Sequence, residues 1–277
     1  KISNTGENAI IYNNYDDTDK CGKITNNAGG TIENMGTISS AGTITNTGGT
    51  ITNTNDSPVS QTSGIIANVG TITNNTGATI TNNELATILN RDGELINSDS
   101  GEILNSGEIN NNTSGKIYND GTITNENGGT ISNTGDIVNN NKDDTQKTGE
   151  ITNIGEIKNS NSGEIRNTGT ITNNATITNE ATINNNETIK NNNGATITNN
   201  GIILNSNEIN NIGTITDDGT ITCLGKGCIY GTIPQKAEGC DCSSQPSKPK
   251  PQNKPKKQKK FYWAINNATG CKRKCYY

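Results

Sequence analysis

From Cys21 to about Cys228, apolar residues recur singly inside a short phrase, Gly (or Ala, Asn)-x-Ile-x-Asn. Gly42-Thr43-Ile44-Thr45-Asn46, Gly107-Glu108-Ile109-Asn110-Asn111 and Gly169-Thr170-Ile171-Thr172-Asn173 are examples. Successive centres lie mostly six or eight residues apart, with Leu95 standing in for Ile once. An amphipathic helix needs apolar residues at spacings of three and four, so this pattern excludes helix. Even spacings suit strands, whose side chains alternate faces, and they put Gly, Ile and Asn of each phrase on one side. A fixed short repeat of β character predicts a solenoid.

Three strands per turn give coils of 18 to 22 residues, for example Leu95 to Ile117 to Ile137. This reading stacks the outward residues Ile96, Tyr118, Val138 and later Leu204 on one face. It also stacks Glu94, Lys116 and Asp136 as an alternating charge column, which is favourable across strands. Two strands per turn scatter both sets. The prediction is an all-β, single-chain, triangular solenoid of about nine coils, roughly 45 Å long at about 4.8 Å per coil. Two longer steps imply loops, one holding Ser57-Pro58 and one holding residues 142–147.

Composition then makes sense. Only 27% of the 277 residues are hydrophobic and 3% aromatic, while fifty are Asn and 32 are Gly. Such a chain lacks the apolar content of an ordinary globular core. A stacked column needs only one Ile per strand, with Asn amides bonding the backbone and their own copies in adjacent coils. There is no His, which removes the commonest general base and metal ligand. No apolar run approaches a membrane span.

The repeat resembles the β-solenoids of secreted bacterial adhesins of the filamentous-haemagglutinin style, and similar repeats in viral fibres. The likeness is one of repeat style over about 200 residues. It implies extracellular display and brings no catalytic residues.

The ends differ from the middle. Residues 1–22 break the phrase and read as a cap or assembly segment, with the solenoid at 23–222 and a Cys-rich cap at 223–242. A Pro/Lys-rich arm follows at 243–260, then an aromatic, basic segment at 261–277 that also holds Cys271 and Cys275. Lys1 is not an initiator Met, and the expectation is either a leader already removed or a sequence that is part of a longer one. Six of the seven cysteines, Cys223, Cys228, Cys240, Cys242, Cys271 and Cys275, crowd the C-terminal end, and Cys21 stands apart. Cys240-Asp241-Cys242 lacks the usual two-residue spacing of a zinc pair, so the expectation is disulfides stapling the solenoid end in an oxidising setting, with no cofactor. Residues 243–277 carry ten Lys/Arg and no acid, and residues 1–242 carry a net −15. A Pro/Lys arm is either solvated or bound to something acidic, and the nearest acidic partner is another copy's solenoid. Lys256, Lys257, Lys259 and Lys260 would supply charge there, with Phe261, Tyr262, Trp263, Tyr276 and Tyr277 as anchors.

Catalysis is not expected. The acids are single Glu residues ahead of Ile, such as Glu94, Glu102 and Glu108, and consecutive ones fall on different sides of the triangle. Three functions fit. The first is a structural subunit of a secreted, head-to-tail homopolymeric filament or surface fibre. The second is an adhesin or virion fibre gripping a polyanionic surface such as acidic polysaccharide; nucleic acid is not an expected partner. The third is ice binding through the Thr-x-Thr rows Thr176/Thr178, Thr196/Thr198 and Thr214/Thr216. Glycosylation sequons begin at Asn55, Asn74, Asn111, Asn174, Asn186 and Asn267.

Overall fold

In the computed structural model the described residues are 1–5, 9–13, 22–54, 64–140, 149–240 and 242, with the backbone of 261–265 and 272–276. Strands of three or four residues follow one another in a fixed rotation among three parallel sheets. The first sheet has eleven strands, from Ile2–Asn4 to Cys228–Gly231, and the other two have ten each. The second sheet runs from Ile10–Asn13 to Thr214–Asp217, and the third from Lys23–Asn26 to Thr220–Cys223. Each strand pairs with the one three places later, so the fold is a three-sided β-solenoid.

The register is that of the sequence phrase. Ile pairs above Ile and Asn above Asn, as in Ile151↔Ile171↔Ile189 and Asn153↔Asn173↔Asn191. Outward pairs follow the expected columns, Glu94↔Lys116↔Asp136 and Ile96↔Tyr118↔Val138. One layer further on both columns change: Glu164 follows Asp136 and Arg166 follows Val138, where Arg166 bridges Asp136 at 3.1 Å and Glu164 at 3.4 Å. The Ile column is buried, typically at 0 to 3% exposure from Ile32 onward. Position zero of the phrase is Gly or Ala in most coils because the coils stack closely there, with Glu187 and Asn207 as exceptions. A Cβ on Gly169 would sit 2.2 Å from the Gly149 carbonyl oxygen.

Two expectations need correction. The stack has ten complete coils and begins an eleventh, rather than about nine. It also starts before residue 23: Ile2 pairs with Ile32, Ile11 with Ile38, and Asn4 with Asn34. The reason is in the residues themselves. Ala9-Ile10-Ile11-Tyr12-Asn13 is a complete phrase, so residues 1–22 contribute coil strands and are not simply a cap. At the other end Ile229 continues the column above Ile209, inside the stretch expected to be cap alone.

Residues 243–277 form a separate unit. Its described part is an antiparallel hairpin of Phe261–Ile265 and Lys272–Tyr276, within the segment expected to be aromatic and basic. The arm at 243–260 lies outside the described residues.

Candidate interaction surfaces

The inward Asn side chains build three ladders, ten Asn in the first sheet, eight in the second and nine in the third. Every ladder runs the same way. The Nδ2 of Asn74 donates to Asn97 Oδ1 at 2.9 Å, and Asn97 Nδ2 donates to Asn119 Oδ1 at 2.8 Å. The same Nδ2 reaches corner carbonyls, Ala78 in its own coil and Glu102 in the next, both at 3.0 Å. Burying an amide is tolerable only when its polar atoms are satisfied, and here each ladder Asn also satisfies the turn. One rung is missing. Ser40 occupies an Asn position, sends its hydroxyl to Gly42 at 3.3 Å, and leaves Asn68 Oδ1 buried without a partner.

Because the ladders are directional, the two ends of the solenoid are chemically different. Among the described residues Asn4, Asn13 and Asn26 are the first rungs of the ladders, each donating to the coil above. Ile11 and Ile24 there are only partly buried, and Ile2 is 43% exposed. At the C-terminal end each ladder stops on a group that cannot pass a proton onward. Asn199 donates to the Asp217 carboxylate at 2.7 Å. Asn205 reaches the disulfide sulfur of Cys223 at 3.5 Å. Gly231 stands where an Asn would, so Asn211 donates to the Thr232 carbonyl at 2.7 Å instead.

The C-terminal end is also covered. Glu238 N–H donates to Ile221, Cys223 N–H donates to Glu238, and Ile229 N–H donates to Cys240. The segment therefore shields the third sheet and then the first, while Ala237 and Ile233 pack on the core. The Cys223–Cys240 disulfide fastens it. Over the second sheet the chain reads Gly231-Thr232-Ile233-Pro234-Gln235, a repeat phrase with Pro at the third position. In this stack the third position donates its N–H to the coil below, and Pro has none. A further strand cannot complete there, and Thr214–Asp217 remains the last strand of its sheet. The sequence signal was available, because the phrase survives around Pro234.

Cysteine placement is specific. Cys223 and Cys240 are joined as the stapling idea expects; Cys228 is a buried free thiol, and Cys242 Sγ lies 3.1 Å from the Ile229 carbonyl. Cys240 is spent in the disulfide, so the Cys240/Cys242 pair offers no two-thiolate metal site. Cys21 and Cys271 lie outside the described residues, and Cys275 is on a hairpin strand. Lys256, Lys257, Lys259, Lys260 and Tyr277 are also outside them. Phe261, Tyr262, Trp263 and Tyr276 fall on the hairpin.

The Thr rows stack as Thr176↔Thr196↔Thr214 and Thr178↔Thr198↔Thr216 on the second sheet. Glu156 and Lys158 interrupt both rows one coil earlier. Of the sequons, Asn74 and Asn111 are buried in ladders, Asn174 and Asn186 are exposed at corners, and Asn55 and Asn267 lie outside the described residues. The void along the axis, about 30 Å³ and lined by Leu95 and Ile side chains, is too small and too apolar for a ligand. Among the described residues no group of three or more His, Cys, Asp or Glu could hold a metal, and no helix is long and apolar enough to cross a membrane.

Fold and surfaces together define a β-solenoid repeat protein stapled at one end. No family profile and no curated protein matches the sequence. Among solved structures, a crystal structure of a TibC-catalyzed hyper-glycosylated TibA fragment is similar at 15% identity and a TM-score of 0.24, covering 86% of this chain and 98% of that one.

Proposed function

We propose that the chain is a secreted structural rod of an extracellular fibre or adhesive surface, mechanical in its work and not catalytic. The observation that carries this reading is the unbroken stack itself. Ten coils are joined by backbone ladders and buried amide ladders, with charged side chains spread singly over the outer faces. Parallel coils at about 4.8 Å each make a stiff spacer of about 50 Å. A disulfide at the covered end suits an oxidising, extracellular setting.

Assembly by direct head-to-tail stacking of solenoid on solenoid is the finer reading, and the two ends bear on it unequally. Residues 232–242 would have to be displaced before a second solenoid could stack on the C-terminal end. A joint between copies therefore falls to the C-terminal tail. The test is negative-stain microscopy and surface binding of the full chain. Fibres, or salt-dependent attachment to heparin-like polymers lost on removing 243–277, fit the proposal. Monodisperse rods that attach to nothing and cleave a glycan would sink it.

The stacked Thr rows favour one second reading, ice binding. Thermal hysteresis abolished by Thr196→Lys would establish it.

A further inference from the structure

One face of the rod is unlike the others. On the second sheet the outward positions of coils one to four run Ile10↔Thr37↔Ile65↔Thr87 and Tyr12↔Ser39↔Ala67↔Leu89. None is charged. The matching stretch of the first sheet carries Lys1 and Glu33, and that of the third carries Lys23 and Glu94. Tyr12 is 67% exposed, Val69 at the adjoining corner 50%, and Ile10 47%. The patch runs up to the edge strand Ile10–Asn13, which is paired on one side with Thr37–Ser40. An uncharged stretch that exposes Ile10, Tyr12, Ile65 and Val69 among Thr and Ser is a candidate interaction surface.

The chain also contains something of complementary chemistry. The hairpin register sets Phe261 opposite Tyr276, Trp263 opposite Lys274 and Ile265 opposite Lys272, so alternation gives these six positions one face. A lone two-stranded hairpin is marginal in water and gains stability from a surface to pack on. The tail carries a net +10 and residues 1–242 a net −15, so charge draws the tail to the rod as a whole, and the uncharged patch is left to meet the apolar members Phe261, Trp263 and Ile265 of that face.

We propose that this face of coils one to four is the docking surface for the C-terminal hairpin of a second copy. The arm leaves the rod at Cys242, beyond the eleventh strand of the first sheet, at the end opposite the patch. Its own patch lies about 40 Å back along the rod at about 4.8 Å per coil. A second copy following in line brings its patch beside Cys242, so the distance to be spanned is shorter than to the chain's own patch. The contact is heterologous, since hairpin meets patch, and it propagates from copy to copy. This inference rests on the fibre reading and names its joint.

The experiment is sedimentation velocity of the full chain across a concentration series at low and high salt. Ile65→Lys combined with Leu89→Lys changes only outward positions and keeps the thermal midpoint. A second variant lacks residues 261–277. The wild type associates, more weakly at high salt, and each variant weakens association by at least about tenfold. Mixing the two variants yields a heterodimer and nothing larger, because one intact patch and one intact hairpin remain. A wild type that stays monomeric, including one whose hairpin folds onto its own patch, overturns the joint, as does association that survives the patch substitutions. Surface attachment retained by such a monomer leaves the structural-rod reading standing, so the two failures are separable.

Discussion

The two ends of the solenoid are made of the same phrase and behave as opposites. In the first coil Ile11 and Ile24 are half-covered, and among the described residues its three strands pair on one side only. At the C-terminal end the pattern is deliberately spoiled. Asp217, Cys223 and Gly231 replace ladder Asn, Pro234 removes a donor, and a disulfide holds the covering segment. A repeating fold has no intrinsic reason to stop, so termination must be written into the residues. Here the C-terminal end carries that stop.

The contrast can be broken in several ways. Removing a core methyl cluster should matter most in the middle and least in the first coil. Ile177→Ala is expected to cost about 3 to 4 kcal/mol in urea unfolding and Ile24→Ala about 1. Equal costs would mean that the first coil is covered by something. Replacing both Cys223 and Cys240 by Ala removes a closure of 17 residues and should cost about 3 kcal/mol. Hydrogen exchange should accelerate in coils nine to eleven, with coils one to three unchanged; uniform acceleration would show that the stack unfolds only as a whole. Ser40→Asn should mend the interrupted ladder, satisfy Asn68 Oδ1 and raise stability by about 1 kcal/mol. The smallest effect belongs to Pro234→Thr, which restores a donor toward the Ile215 carbonyl. It should add about 0.5 to 1 kcal/mol of protection to Thr214–Asp217, and no change would place the stop elsewhere.

The middle of the molecule was readable because one rule governs it. Period-two alternation fixes which residues point inward, and the spacing of Leu95, Ile117 and Ile137 fixes three strands per turn. The ends were less readable because competing effects enter there. Ala9 to Asn13 carries the phrase, yet Ile10 and Tyr12 fill outward positions usually held by Thr, which disguised the strand. Ladder direction was hidden because an Asn amide looks the same whichever way it points; only the corner carbonyls and the coil above decide it. The Cys cluster announced a disulfide, but among so many partners only the fold could choose Cys240 for Cys223.

The shared direction of the amide ladders has an electrical consequence. In the backbone of a parallel stack, successive peptide groups point alternately up and down, so their dipoles nearly cancel along the axis. The side-chain amides do not alternate. Each points its N–H toward the C-terminal end, coil after coil, in three parallel files. Aligned amide dipoles add as they do along a helix. The rod thus has a negative pole at Asn4, Asn13 and Asn26 and a positive pole at its stapled end, where the Asp217 carboxylate sits as a counter-charge. It is a polarised needle whose orientation is set by side chains that never reach its surface.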